Sequence, residues 1–272
     1  MDRIRDAVTK ARHDRNGPAT PRSARILTPG VRFQPSPART SENFREVTCD
    51  FDRFGENRII SNEQDPVLNS YRVLRTRVLQ KMEENNWRTL AVVSPSSGAG
   101  KSVTAINLAI AIGSKQGSRS TLIDLDFYRP RIAQYLGLKE PPSMVDYFEG
   151  ARALQEVTLK PDLPDVLVIA NERVSRRGAE FLTSPRADEM IATTVNDYAS
   201  RVVIFDMSPL LGCDDSIAFL PKVDCALLIT ASGETRVPEF REAQRILANT
   251  KLVGTVLNKA PPSSLIGAQY YY

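Results

Sequence analysis

The sequence has little of several residue types and patterns on which whole classes of protein depend. Its 272 residues include three cysteines (Cys49, Cys213 and Cys225) and one histidine, His13. Three cysteines without metal-ligand spacing make neither a disulfide framework nor a cysteine-rich zinc site, and a lone histidine among charged residues excludes chemistry built on a core histidine. No apolar run approaches the roughly 18 residues of a membrane-spanning helix, and the first residues lack the apolar core of a signal peptide. We therefore expect a protein of a reducing cytoplasm.

Positive charge is concentrated in the first 39 residues. They hold nine lysines and arginines against three aspartates, a net charge of +6, whereas residues 40–272 hold 27 basic against 29 acidic residues. Ile4, Ala7, Val8 and Ala11 have the spacing of a short amphipathic helix, and the proline-rich residues 16–42 predict a flexible linker. This basic leader either docks on an anionic membrane surface or a partner, or is merely solvated. The basic leader has few aromatic residues and no known nucleic-acid-recognition motif, so we expect no nucleic-acid binding.

The rest of the chain alternates between helical and strand patterns. Apolar residues recur at helical spacing from Val67 to Met82. Six short runs rich in Val and Ile follow, separated by helix-length segments: 89–93, 121–125, 166–170, 202–205, 226–230 and 252–257. Such alternation predicts an α/β protein, a three-layer fold of the P-loop NTPase type with a mainly parallel sheet. We expect a leader and linker over residues 1–60, a nucleotide-binding domain over 61–260 and a flexible tail over 261–272.

A loop of small residues, Ser94–Ser102, joins the first of these strands to a helical pattern. Glycines and serines let backbone N–H groups approach phosphate oxygens, and the helix N-terminus adds partial positive charge. The lysine would reach the β- and γ-phosphates, and the following serine hydroxyl would ligate Mg²⁺. A glycine-rich turn without function is the alternative. The predicted nucleotide-binding residues are Ser97, Gly98, Ala99, Gly100, Lys101, Ser102 and Val103.

Carboxylates close two further strands. Asp124 and Asp126 end the second run, and Asp206 ends the fourth. Ligands of open α/β sheets lie beyond the carboxyl ends of the strands, so these side chains are expected to converge on the phosphates and the metal. Phosphoryl transfer depends on charge neutralisation and on a positioned nucleophile, which this set could supply. Helix capping or a surface turn is the alternative for the first two.

At these residues the chain resembles the bacterial tyrosine kinase family of capsule and exopolysaccharide synthesis, the autokinases of the CpsD/CapB type. The resemblance covers roughly residues 65–272. The loop Ser94–Ser102, the D-x-D segment Leu122–Asp126 and the segment Ile204–Pro209 are similar to the family's three nucleotide motifs. Tyr71–Arg75 is similar to its oligomerisation helix, and Tyr270–Tyr272 to its tyrosine cluster.

The resemblance implies an ATP- and Mg²⁺-dependent protein-tyrosine autokinase that regulates polysaccharide polymerisation and export. It implies phosphate and metal binding by Lys101 and Ser102, with Asp124, Asp126 and Asp206 around the metal and the incoming phenol, and with Asp124 and Asp206 as further metal ligands. Lys101, Asp124, Asp126 and Asp206 would thus be catalytic. Asn258 would face the adenine, Arg72 and Arg75 would lie at a subunit interface, and the acceptors would be Tyr270, Tyr271 and Tyr272 of a neighbouring subunit.

The same resemblance implies partners and a location. They are a membrane chain-length regulator or co-polymerase as activator, further copies of the chain, and a cognate tyrosine phosphatase. The location is the cytoplasm, with peripheral association at the inner membrane.

The chain departs from the family pattern at several positions. Tyr128 stands where the family has arginine, Asn69 where the oligomerisation helix begins with an acidic residue, and Pro95 where the phosphate loop has glycine. Two other functions stay open, a MinD/ParA-like ATPase switch and a degenerate kinase that acts as a nucleotide-binding regulatory subunit. MinD/ParA-like proteins carry a second lysine early in the loop, where this chain has Ser96.

Overall fold

A mostly parallel β-sheet forms the centre of the protein. The computed structural model describes residues 44–61 and 66–261. Its strands are β1 (Arg45–Val47), β2 (Thr89–Val93), β3 (Ser120–Leu125), β4 (Thr158–Pro161), β5 (Val166–Ile169), β6 (Val202–Met207), β7 (Cys225–Ala231) and β8 (Leu252–Asn258). They are ordered β1-β4-β5-β3-β6-β2-β7-β8, and β4 and β5 pair antiparallel while the other neighbours pair in parallel. The expected mainly parallel sheet is confirmed.

Helices cover both faces of this sheet. They are α1 (Asp52–Asn57), α2 (Pro66–Glu84), α3 (Lys101–Gly113), α4 (Ile132–Leu136), α5 (Met144–Phe148), α6 (Leu154–Val157), α7 (Gly178–Thr183), α8 (Pro185–Asn196), α9 (Asp215–Phe219) and α10 (Val237–Ile246). Alternate strand residues point to opposite faces, so Leu90 and Val92 pack with α1 to α4 while Ala91 and Val93 pack with α5 to α10. Every residue of β2, β3, β6 and β7 is therefore buried, which explains the nearly continuous apolar sequences of β2, β6 and β7.

The folded domain begins before residue 61, which corrects the expected boundary. β1 pairs in parallel with β4, and five apolar residues of this segment are buried: Phe44, Cys49, Phe54, Ile59 and Ile60. No local pattern predicts this strand, because β1 has only three residues and two of them, Arg45 and Glu46, are exposed. β4 was also not predicted, since it has only four residues and lies at the end of α6.

Four predicted features lie outside the described residues. They are the leader helix within residues 1–15, the linker over residues 16–42, the flexible tail after residue 261 and the tyrosine cluster Tyr270–Tyr272. Within residues 44–61 and 66–261, none of the helices has the length and apolarity needed to cross a bilayer.

Candidate functional site

The loop Ser94–Ser102 connects the buried strand β2 to α3, as the sequence predicts. Gly98 and Gly100 have φ angles of 89° and 86°, a left-handed backbone that favours glycine. Asn258, at the end of β8, donates a hydrogen bond from Nδ2 to the Ala99 carbonyl oxygen at 2.9 Å. The Asn258 amide therefore braces the loop.

The loop after β6 braces the start of the same segment. The backbone N–H of Leu210 donates to Ser94 O at 2.9 Å, and that of Leu211 donates to Pro95 O at 3.1 Å. Pro95 is thus a buried brace point of the loop at the place where the family pattern has glycine.

Lys101 and two of the predicted carboxylates form one buried ionic cluster. The Nζ atom of Lys101 lies 2.7 Å from Asp206 Oδ1 and 3.5 Å from Asp126 Oδ2. Burial lowers the pKa of Lys101, but the negative charges of Asp206 and Asp126 act more strongly together, and the net effect raises that pKa. The lysine therefore stays cationic at neutral pH, as a phosphate-binding group must.

Asp124 has a different role from its two neighbours. Its Oδ1 accepts the backbone N–H of Asp126 at 3.1 Å, and its Oδ2 accepts those of Arg131 and Ile132, both at 3.1 Å. Burial, with the charge of Asp206 nearby, raises the pKa of Asp124 well above its usual range. These contacts hold the loop after β3 in place, which favours a positioning role for Asp124.

A cavity of about 740 Å³ opens beside this cluster at the carboxyl ends of the strands. Its walls include most of the predicted site: Ser97, Gly98, Gly100, Lys101, Ser102, Val103 and Asp126. Asp126 is held by hydrogen bonds to Oδ1 from the Arg129 N–H at 3.0 Å and from the Ser208 hydroxyl at 3.2 Å. Its Oδ2 faces Lys101, so Asp126 is the predicted carboxylate that reaches the cavity.

Other wall residues were not predicted. Arg129, Arg131 and Tyr135 follow β3, Cys213 follows β6, and Glu239 lies on α10. The rule that ligands bind beyond the carboxyl ends of strands could have identified the two arginines, because they follow the D-x-D segment directly. No sequence signal connects Glu239 with a loop more than 130 residues earlier, where its Oε2 accepts a 3.5 Å hydrogen bond from the Ser96 hydroxyl.

Asp215 is a further buried carboxyl near the site. It begins α9, and burial together with the charge of Asp214 raises its pKa to about 6. Gly178 leaves room for it, since a Cβ there would lie 2.1 Å from Asp215 Oδ2.

The two arginines of the predicted subunit interface differ in their surroundings. Arg75 donates from Nη1 to the Ala111 carbonyl oxygen of α3 at 2.8 Å, so its guanidinium is held within its own chain. Arg72 is exposed, and its Nη1 lies 3.5 Å from Asn69 Oδ1 on the same helix. The interface itself stays a prediction.

The residues present fit a nucleotide-bound magnesium ion. Asp206 Oδ2 is buried and has no hydrogen-bond partner within the described part of the chain. Burial raises the pKa of Asp206, against the lowering effects of the Lys101 charge and of hydrogen bonds from Lys101 and Ser102. Burial raises the pKa values of Asp124 and Asp206, and a divalent cation beside them would stabilise their charged forms. No group of three His, Cys, Asp or Glu side chains among the described residues could hold a metal ion. Phosphate and water oxygens would therefore complete the coordination, as Mg²⁺ prefers.

Several known proteins are similar to this chain in sequence and in fold. A model of the CobQ/CobB/MinD/ParA nucleotide binding domain matches residues 90–268. The chain is 28% identical over 202 residues to EpsB of Ralstonia nicotianae, covering 74% of this chain and 26% of EpsB. It therefore spans about a quarter of the length of that relative. The tyrosine-protein kinase YwqD of Bacillus subtilis is 25% identical over 207 residues, covering 75% of this chain and 86% of YwqD.

The solved kinase domain of the Escherichia coli tyrosine kinase ETK has the same fold. It superposes with a TM-score of 0.68 at 23% identity, over 78% of this chain and 83% of that one. The expected resemblance to bacterial tyrosine kinases is thus confirmed as similarity of sequence and of fold. Because the domain model matches well over half of the sequence, the chain belongs to the CobQ/CobB/MinD/ParA nucleotide-binding domain family.

Proposed function

We propose that this chain is an ATP- and Mg²⁺-dependent protein-tyrosine kinase of polysaccharide synthesis and export, whose acceptors are Tyr270, Tyr271 and Tyr272 of a neighbouring copy. The observation that carries the proposal is the position of Asp126. Its carboxylate lies on the cavity wall, and Oδ2 is 3.5 Å from the ammonium of the phosphate-binding Lys101.

This arrangement supplies the parts that phosphoryl transfer to a phenol requires. Lys101 and the N–H groups of the loop bind the phosphates, and Mg²⁺ held through Ser102 and Asp206 would supply further charge neutralisation. The phenol oxygen forms a bond to the γ-phosphorus as the bond from that phosphorus to the bridging oxygen breaks. Asp126 orients the phenol and accepts its proton. Asp124 positions the loop that carries Asp126, through its contacts to three backbone N–H groups.

The experiment is incubation of the purified chain with labelled ATP and Mg²⁺, followed by intact-mass analysis. Lys101→Met should abolish phosphate incorporation, because it removes the buried cation of the site. Lys115→Met is the matched control, since Lys115 is an exposed lysine just beyond the far end of α3.

Replacing Tyr270, Tyr271 and Tyr272 together by Phe tests the acceptors. Incorporation should fall to background in that variant, whereas Tyr71→Phe on α2 should retain it. Incorporation that persists in the triple variant contradicts the acceptor assignment. ATP binding without any incorporation, with or without an activator, favours the degenerate regulatory subunit, a reading that the replacement of the family arginine by Tyr128 supports.

The partners and location are part of the same proposal. An activating membrane chain-length regulator, a cognate tyrosine phosphatase and assembly through the exposed Arg72 face of α2 suit a tyrosine kinase of this kind. Cytoplasmic location with peripheral attachment to the inner membrane suits the basic leader.

A further inference from the structure

Two exposed arginines, Arg129 and Arg131, line the cavity on the loop after β3. A third exposed arginine, Arg176, lies on the loop after β5. A hydrogen bond from the Ser175 N–H to the Phe127 carbonyl oxygen, at 3.0 Å, joins these two loops. We call Arg129, Arg131 and Arg176 the arginine rim.

The arginine rim is short of negative partners, unlike the neighbouring basic residues. Arg173 pairs with Asp146 at 2.7 Å and with Glu149 at 3.0 Å, and Arg177 pairs with Glu180 at 2.7 Å. Within the described ranges neither Arg129 nor Arg176 forms an ion pair, and the Arg131 guanidinium donates to the neutral Gln134 side chain. Two guanidinium groups in the cavity wall and a third on the adjoining loop, none of them ion-paired among the described residues, form a surface to which an anion would bind.

The sheet order places the arginine rim on the side of the cavity away from Asn258. The order β5-β3-β6-β2-β7-β8 puts β3 two places and β5 three places from β2, which leads into the phosphate loop. At roughly 4.8 Å between strands, the rim loops begin about 10 and 14 Å from the end of β2. Asn258 ends β8, two places from β2 in the opposite direction. Asp126 directly follows β3, so the rim adjoins Asp126 on the side away from Asn258, and an acceptor phenol at Asp126 would lie next to the rim.

We propose that the arginine rim is a subsite for phosphotyrosine, and that it binds an already phosphorylated tyrosine next to the acceptor in the Tyr270–Tyr272 cluster of a second copy. This inference rests on the proposed function. A phosphotyrosine carries nearly two negative charges and three acceptor oxygens, which guanidinium groups bind in bidentate fashion. Residues of an extended peptide advance about 3.4 Å each, so a neighbour one or two places from a phenol at Asp126 reaches the rim. The first phosphate on the cluster would thus hold the peptide for the next transfer.

The phosphates of ATP are the other anionic groups that the arginine rim could bind. In the proposed function, Lys101 and the loop N–H groups bind the ATP phosphates. These groups lie on the β2 side of Asp126. The experiment therefore measures peptide and nucleotide affinity separately.

The test uses the full chain and two synthetic peptides of residues 261–272, each with an amidated end to remove the terminal carboxylate. One peptide is unmodified and the other carries phosphate on Tyr271. We expect fluorescence anisotropy to show about tenfold tighter binding of the phosphopeptide. The double variant Arg129→Gln/Arg176→Gln should lose most of that preference. The matched control is Arg152→Gln, since Arg152 is an exposed arginine on the surface that pairs with Asp146.

Three results would overturn the inference: equal affinity for the two peptides, the same loss in the Arg152→Gln control, or a double variant with weakened ATP binding and unchanged phosphopeptide preference. The peptide-binding assay contains no ATP, and the ATP affinity of each variant is measured in a separate titration, so the two proposals are tested independently. Rim-dependent phosphopeptide binding by a chain without kinase activity supports the subsite and contradicts the proposed function. Active kinase without phosphopeptide preference contradicts the subsite alone.

Discussion

Gly100 shows how closely a single residue of the phosphate loop is fitted to its surroundings. Its φ angle is 86°, and a Cβ built there would lie 2.1 Å from Asn258 Nδ2. Gly98 has a similar φ angle, but a Cβ there would meet nothing within 4 Å. Alanine at Gly98 would therefore introduce backbone strain alone, whereas alanine at Gly100 would introduce that strain and also displace the Asn258 side chain.

We predict that Gly98→Ala lowers the free energy of unfolding by about 1–2 kcal/mol, the cost of a left-handed alanine. Gly100→Ala should cost about 1 kcal/mol more, because it also breaks the hydrogen bond from Asn258 to Ala99. In an Asn258→Ala background this excess should disappear. Urea unfolding without nucleotide gives the free energy of unfolding of each variant. If Gly100→Ala still costs about 1 kcal/mol more than Gly98→Ala in the Asn258→Ala background, Asn258 does not brace the loop.

At the scale of elements, Asn107 on α3 ties the segment before α2 to the helix that begins at Lys101. Its buried side chain accepts the Ile60 N–H at Oδ1 and donates from Nδ2 to the Arg58 carbonyl oxygen, both at 2.9 Å. Both backbone groups would lose their partners if this side chain were removed. Asn107 thus connects the segment at residues 58–60 to the helix that begins at Lys101.

We predict that Asn107→Ala lowers the free energy of unfolding by about 2–3 kcal/mol, since two backbone groups lose buried partners. Native-state hydrogen exchange should show faster exchange of the Ile60 amide in particular. Asn107→Asp keeps the acceptor for Ile60 but buries a carboxylate against the Arg58 carbonyl oxygen, so it should destabilise the protein at least as much as Asn107→Ala at neutral pH. Ser114→Ala is the control on the same helix, because its hydroxyl bonds only to Ile110 O one turn earlier. Unchanged Ile60 exchange in Asn107→Ala would refute the connection.

At the scale of the whole molecule, the features predicted correctly are those encoded locally. The strands β2 and β6 contain apolar runs and β3 a shorter one, and Lys101, Asp126 and Asp206 lie at or just after the carboxyl ends of such strands. β1 could not be foreseen, because its partner β4 is more than 100 residues away and its own residues are mostly polar. Asn258 was placed at the adenine, yet its hydrogen bond to Ala99 depends on the order of strands, which no local pattern specifies.

The contrast in charge between the leader and the rest of the chain leads to a prediction about location. Residues 1–39 carry a net charge of +6, whereas residues 40–272 carry 27 basic and 29 acidic residues. Each basic residue near an anionic bilayer contributes about 1 kcal/mol, so the leader alone can hold the chain at such a surface. The full chain should co-sediment with vesicles containing anionic lipid and should stay in solution with neutral vesicles.

Deleting residues 1–39 should abolish this vesicle binding and leave nucleotide binding intact, because the phosphate loop lies within the separately cored domain. A full-length control in which Arg12, Arg15, Arg22 and Arg25 become Gln keeps the leader's length and removes four positive charges. If charge is the cause, this control should lose most of the binding, and raised salt should weaken the wild type, since screening shortens the range of the attraction. Equal binding by the deleted chain would instead place the membrane contact on the folded domain, and binding that survives the four substitutions would assign it to the apolar stripe of the leader.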